Sequence, residues 1–170
     1  TRFLTSQGNT YFAAYDVTNS LYPSDAGTII RQGAAFRISM NLLGSADAGK
    51  IRTQLRDGGG DQARADTSSS FDGQTILQTS IISATRGAGG VKTFVNSANE
   101  ASADSTDVQD VDFTTVENPD SSNNAFYIGS NNLGNFDFLG NLGEVILFNT
   151  DLTADKTDLE NDINNHYSIY

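Results

Sequence analysis

The chain has 170 residues, 37% of them hydrophobic, no Cys, no Trp and a formal net charge of −11. That length suits one domain with a continuous core, and the lack of Cys excludes disulfides and thiolate metal sites. The acidity repels phosphate backbones, which argues against nucleic acid as a partner.

Thr10 to Val17 is the first predicted strand, with Tyr11, Ala13 and Tyr15 on one face and Phe12 and Ala14 on the other. Past the turn at Tyr22-Pro23-Ser24-Asp25, an apolar stretch runs from Thr28 to Leu43 and is interrupted at Gln32-Gly33. Within it Phe36, Ile38 and Met40 alternate with Arg37, Ser39 and Asn41, the pattern of a half-buried strand. Lys50 to Arg56 alternates in the same way. Asp57 to Ser70 is rich in turn residues and poor in anything to bury, so a loop is expected there. Thr75 to Thr85 and Val91 to Val95 flank Arg86-Gly87-Ala88-Gly89-Gly90, a hairpin signature. Further strands are predicted around Val111, Phe113 and Thr115, at Ala125 to Ser130, and at Leu142 to Asn149. The last is the most apolar of all and is expected at the centre of its sheet.

One helix is predicted, over about 153–166. Thr153 is placed to cap it and Asp155 falls in its first turn, where a negative charge suits the helix dipole. Lys156, Leu159, Ile163 and Tyr167 recur at three- and four-residue steps as one stripe, with Asp158, Asn161 and Asp162 toward water. Tyr167 to Tyr170 then alternates as a short strand would.

Seventeen of the 21 acids are Asp and four are Glu, and Ser and Thr together number 34. Asp favours turns and caps and Glu favours helices, so the skew points to many loops and few helices. No composition break or fixed-period repeat divides the chain. The elements add up to an all-β fold, a two-sheet antiparallel jelly-roll sandwich with one short C-terminal helix, as a single domain over 1–170. No apolar run is long enough to span a bilayer, so no membrane insertion is expected. None of the 16 Asn starts an N-glycosylation sequon, which with the absent Cys tilts the origin toward bacteria or viruses. Thr1 at the start is what removal of an initiator Met, or cleavage from a larger chain, would leave.

A family resemblance is carried by the C-terminal part. Phe126-Tyr127-Ile128-Gly129 is followed by Leu139-Gly140-Asn141-Leu142-Gly143-Glu144-Val145-Ile146-Leu147-Phe148-Asn149. Then come Leu152-Thr153-Ala154-Asp155 and a segment ending in Tyr167-Ser168-Ile169. These runs resemble the end of laminin-G-like, concanavalin-A-like jelly-roll domains of bacteria and their phages. Upstream, Lys92 to Asn96 looks like the family's strand leading to an Asn-Gly turn, with Ser97 in place of the Gly, and Phe36-Arg37-Ile38-Ser39 looks like its early core strand. The resemblance covers about half of the chain and its motifs are structural. It implies a surface module, such as a tail or capsid decoration or a receptor-binding unit, located extracellularly, on a virion or on a cell surface.

Several kinds of chemistry can be weighed against the residues. Some jelly rolls of this superfamily are β-glucanases, with paired carboxylates on one strand in a pattern like E-x-D-x-x-E. Here Glu144 has Ile146 and Asn149 where its partners belong, and no two of Glu100, Glu117, Glu144 and Glu160 lie within five residues of each other. His166 is the sole His, no G-x-S-x-G elbow accompanies it, and its place suits the free carbonyls of a helix end. Asp57-Gly58-Gly59-Gly60 and Gly87-Ala88-Gly89-Gly90 lack the Lys-Ser/Thr of a phosphate loop and are turns. No catalytic set emerges, and the chain is expected not to be an enzyme.

Binding chemistry has more to draw on. Asp104, Asp107, Asp110 and Asp112 cluster in one segment and are the calcium candidates, although calcium wants about six to eight converging oxygens and no D-x-D-x-D-G pattern is present. A bound glycan would stack on an aromatic ring beside Asn, Asp and Gly groups. Tyr15 and Tyr22, with Asn131, Asn132 and Asn135 in an Asn-rich loop, are the candidates for such contact, and Tyr11 and Tyr127 are further rings. Three functions follow from this reading. The first is a non-enzymatic surface or virion module for attachment, decoration or assembly, partnered by other copies of itself or by a larger particle. The others are a lectin-like carbohydrate-binding domain and a degenerate glycoside hydrolase.

Overall fold

The computed structural model of the protein describes residues 8–17, 27–32, 37–42, 47, 49–56, 62–83, 90–102, 126–130 and 137–170, and among these residues it has ten strands and one α-helix. The first five strands are β1 (Gly8–Asp16), β2 (Gly27–Gln32), β3 (Arg37–Leu42), β4 (Ile51–Arg56) and β5 (Gln62–Asp66). Then come β6 (Thr75–Ser83), β7 (Val91–Val95), β8 (Ala98–Ser102), β9 (Phe126–Ile128), β10 (Leu142–Phe148) and the helix α1 (Lys156–Tyr167). Two five-stranded sheets result, in the orders β10-β1-β6-β7-β8 and β5-β4-β3-β2-β9. Every neighbouring pair is antiparallel. This is the expected jelly-roll sandwich.

The first sheet is buried on both faces, and β1 shows why its sequence is apolar at nearly every position. Tyr11, Ala13 and Tyr15 join Ile29, Ile51, Leu55, Ile76 and Val95 in the core between the sheets. Phe12 and Ala14, on the opposite face, join Leu77 and Ile163 of α1 in a second core, with Ile146, Phe148 and Leu159 packed around it. Burying each such side chain stabilises by roughly 1.5–3 kcal/mol. The second sheet turns one face away from the core between the sheets, and on that face Arg31 and Gln54 are buried while Arg64 and Asp66 are exposed. Five of the ten cationic residues, Arg31, Arg37, Arg52, Arg56 and Arg64, fall on its strands. The register gives all five the same parity, opposite to that of the buried Ile51, Thr53, Leu55, Ala63 and Ala65. On this face Arg52 pairs with Asp66.

Polar groups bridge the two sheets inside the first core. The Tyr15 hydroxyl donates to Gln78 Oε1 at 2.7 Å, and Gln78 Nε2 donates to Ser80 Oγ at 3.1 Å. Ser80 and Thr53 hydroxyls lie 2.6 Å apart, and Thr93 Oγ1 donates to Thr53 Oγ1 at 2.8 Å and to the Ala65 carbonyl at 2.9 Å. Tyr15, Gln78, Ser80, Thr53 and Thr93 are all buried, so these bonds replace the water each would lose. Tyr11 is the exception: its buried hydroxyl has no hydrogen-bond partner among the described residues.

α1 is anchored by a carboxylate that its sequence pattern hides. Glu160 is 0% exposed. It accepts from Thr79 Oγ1 of β6 at 2.5 Å, from Ser97 Oγ at 2.8 Å and from Lys156 Nζ, one turn back, at 2.5 Å. Lys156 Nζ also sits 4.4 Å from the centre of the Phe94 ring. Ser97 is there because Asn96 and Ser97 form the β7–β8 turn, with φ of 48° and 69°. A two-residue hairpin turn of this hand needs positive φ at both positions. Asn96 tolerates it and ties it down, accepting from the Leu77 amide at 2.9 Å. The Gly that the resemblance would place at Ser97 could not supply the hydroxyl.

Four expectations are corrected. The segment expected to be a loop over 57–70 contains β5, whose apolar alternation is carried by small residues, Ala63 and Ala65, both buried. β8 likewise follows β7 with only Ala, Asn, Glu and Ser. β10 is an edge strand, not a central one. Its run is apolar because Val145 and Leu147 face the first core while Ile146 and Phe148 face the second. α1 begins at Lys156 with Asp155 as N-cap residue, whereas Thr153 bonds to Asp151. The tail after Tyr167 forms no strand; Asn164 Oδ1 holds it by accepting from the Ile169 and Tyr170 amides at 2.9 Å each. The strand expected around Val111 to Thr115 lies outside the described residues.

Candidate functional site

A cleft of about 140 Å³ opens where the end of β1 meets the starts of β6 and β10 and the last turn of α1. Ala14, Asp16, Thr75, Asn141, Gly143, Tyr167 and Ile169 line it. The β1–β10 register creates this place. Ala14 pairs with Glu144 but Tyr15 pairs with Leu142, so Gly143 is an extra residue in β10. Such a bulge interrupts the ladder and re-aims its neighbours.

Asp16 is held on both oxygens. Thr75 Oγ1 donates to Oδ1 at 2.7 Å and Asn141 Nδ2 donates to Oδ2 at 2.9 Å. The Asp16 amide donates to the Asn141 carbonyl at 3.1 Å, which fixes the backbone beneath the side chain. A carboxylate offers about four acceptor positions, so about two remain.

Tyr167 rests on bare backbone. A Cβ added to Gly143 would lie 3.4 Å from Tyr167 Cε1 and 3.4 Å from the Ala14 carbonyl oxygen, closer than most real contacts of that kind. The Tyr167 hydroxyl donates to the Gly143 carbonyl at 3.4 Å, and the residue is 38% exposed. Desolvation against the sheet, then the Glu144 carboxylate, raise its hydroxyl above the ordinary tyrosine value, so it stays a neutral donor at pH 7. The His166 ring packs edge-on against it at 4.7 Å. Ile169 closes one wall because Ser168 turns the chain back in the left-handed region, with φ 54°.

The lining therefore combines an aromatic ring, two small apolar groups and an Ile with a rim of one carboxylate, one amide and one hydroxyl. Among the described residues, no cationic side chain lines the cleft. This arrangement can pack against an apolar ring face and accept hydrogen bonds from hydroxyls.

Of the sugar-contact residues expected from the sequence, Tyr15 borders the cleft but does not offer its ring. It is 1% exposed, its hydroxyl is committed to Gln78, and its ring lies edge-on to Phe138 at 5.7 Å. Tyr11 is also in the core, and Tyr127 is half-buried opposite Arg31. Tyr22, Asn131, Asn132 and Asn135 lie outside the described residues, as do the calcium candidates Asp104, Asp107, Asp110 and Asp112. Among the described residues, no group of three or more His, Cys, Asp or Glu is arranged to hold a metal. His166 is exposed in the last turn of α1.

Sequence reasoning missed Asp16, Thr75, Asn141 and Gly143, and took Tyr167 for part of the buried stripe. Asp16 and Asn141 are 125 positions apart and meet only through strand pairing. One available signal was Gly143, a lone Gly inside an apolar strand, which marks a bulge or a close approach.

No protein-family model matches the chain, and no curated protein sequence matches it. Solved structures do share its fold. A heptameric SAP-like pentraxin from Limulus polyphemus aligns at TM-score 0.55 and 15% identity, over 88% of this chain and 67% of the pentraxin chain. The binding domain of botulinum neurotoxin serotype D aligns at TM-score 0.62 and 12% identity, over 94% of this chain and 37% of that one. At these identities the likeness is one of architecture.

Proposed function

We propose that the protein is a non-catalytic binding module that attaches a bacterial or phage surface structure to a glycan, held in the cleft beside Tyr167. The observation that carries this reading is the Tyr167 ring, exposed and seated on Gly143, next to an Asp16 carboxylate already oriented by Thr75 and Asn141. An aromatic face with a few fixed polar groups is how proteins grip sugars. The resemblance to laminin-G-like surface domains agrees, and so does the shared architecture with a toxin's binding domain. Catalysis is not part of the proposal. Asp16 and Glu144 are both partly exposed acids, whereas a glycosidase acid is usually set in a desolvated, apolar environment.

The test is a glycan array followed by calorimetry on the hits. Saturable binding that Tyr167→Ala weakens by about tenfold or more, with the fold intact by circular dichroism, is the expected result. Turnover of a laminarin-like polymer, abolished by Glu144→Gln, would overturn it.

A second reading, assembly with other copies or on a larger particle, draws on β9. Phe138 donates to the Gly129 carbonyl at 2.7 Å, which brings Ile128 and Leu139 alongside each other at the sheet edge. They are 52% and 48% exposed. Light scattering across concentration, with Ile128→Asp as comparison, tests it: a concentration-dependent oligomer lost in the variant supports assembly.

A further inference from the structure

The geometry points to the class of sugar: an uncharged terminal pyranose that gives two adjacent hydroxyls to the Asp16 carboxylate and lays its apolar ring face on Tyr167. This rests on the glycan reading of the cleft and narrows it. Thr75 and Asn141 each donate to a different oxygen of Asp16, so each oxygen keeps about one acceptor position. Two parallel acceptors on one planar group match two neighbouring hydroxyls, as a carboxylate matches any two-pronged donor.

Charge sets the rest of the selectivity. Asp16 is the one ionised side chain among the described residues lining the cleft, and Glu144 stands beside Tyr167. The one Lys on α1, Lys156, lies at the other end of the helix, buried and paired with Glu160. A uronate or sulfate placed here would meet negative charge with no cation lining the cleft to offset it. The apolar part of the wall, Ala14, Ile169 and the Tyr167 ring over Gly143, suits the C–H face of a pyranose. About 140 Å³ is room for one ring rather than a stretch of polymer, which makes the end of a chain the natural occupant.

The experiment is an NMR titration of the intact chain with the methyl glycosides of glucose, galactose and mannose, and with methyl glucuronide, the anionic counterpart of the glucoside. At least one neutral glycoside is expected to shift the amides of Asp16, Gly143, Tyr167 and Ile169. Methyl glucuronide should bind about tenfold or more weakly than the glucoside, and a deoxy analogue lacking one of the two hydroxyls should lose roughly as much. Asp16→Asn should weaken binding by about tenfold, and Tyr167→Phe should retain it within about threefold, because the ring face carries the contact. The ligand-side comparisons stand even if Asp16→Asn is poorly folded. If glucuronide binds as well as glucoside, or the deoxy analogue as well as its parent, while Tyr167→Ala abolishes binding, this narrower inference fails and the cleft reading survives. If no glycoside shifts the cleft amides, both fail.

Discussion

Tyr11 is the clearest case of a single side chain whose cost can be read from its surroundings. Its hydroxyl is fully buried with no hydrogen-bond partner among the described residues, and such a group forfeits hydration without compensation. Tyr11→Phe is therefore expected to raise stability, by about 1 kcal/mol in urea melts. Burial also raises its pKa well above the ordinary tyrosine value of 10.0. The sign follows: below pH 10 both folded and unfolded forms are protonated and the folded state keeps its full advantage. As pH rises past 10, the unfolded chain sheds the proton first and stability falls. Melts between pH 9 and 11 should show a shallower alkaline loss in Tyr11→Phe than in the parent. Gly49 is the converse. Its φ is +73°, and a Cβ there would overlap Ser70 Oγ and crowd the Asp72 backbone. Gly49→Ala is expected to cost about 1–3 kcal/mol by the same melts.

Legibility differed from element to element, for physical reasons. Strands whose buried positions hold large side chains, such as β1 and β6, announce themselves by clusters of apolar residues. β5 does not, because Ala63 and Ala65 fill its inward positions, and Ala is a weak hydrophobic signal in a segment otherwise full of turn residues. The continuous apolar run of β10 was read as a sign of a central strand, but a helix covers one face as well as a neighbouring strand would, so the run does not fix a central place in the sheet. On α1 the stripe predicted Lys156 and Ile163 as inward, and they are; Glu160 was invisible as an inward residue because its partners come from β6 and the β7–β8 turn. The candidate site was the least legible part, being made by pairing rather than by local pattern. Glu160 also gives the sharpest test at this scale. Glu160→Ala leaves Lys156 buried without its partner and should cost about 3–5 kcal/mol, whereas replacing both, with Met at 156 and Leu at 160, should recover much of that loss. Chemical denaturation of the three proteins decides it, and a single variant as stable as the parent would show that the pair is not buried in solution.

At the scale of the molecule, charge is unevenly spread. The second sheet's strands carry five Arg and one acid, Asp66, so the remaining chain holds five cations and 20 acids. Twenty unscreened acids repel one another and favour expansion. Raising salt from about 20 mM to about 500 mM shortens the Debye length severalfold, so thermal midpoints are expected to rise by a few degrees over that range. A fall instead would mean that ion pairs such as Arg52–Asp66 outweigh the general repulsion. The antiparallel sandwich itself was legible from strand count and spacing, because no other arrangement buries so many short apolar runs with one helix to share.

The Glu160 node also bears on how the protein comes apart. One carboxylate accepts hydrogen bonds from β6, from the β7–β8 turn and from within α1, and Ser97 in that turn sits 2.9 Å from the Tyr170 hydroxyl of the tail. Peeling α1 away would carry Glu160 and Lys156 off with it and leave Thr79 and Ser97 without their acceptor, so fraying of the helix breaks bonds that also hold the first sheet. α1 and β6 should therefore exchange their amide protons together, at the rate of whole-molecule opening, even though α1 lies on the outside. A C-terminal surface helix would ordinarily be the first part to lose its protons to solvent.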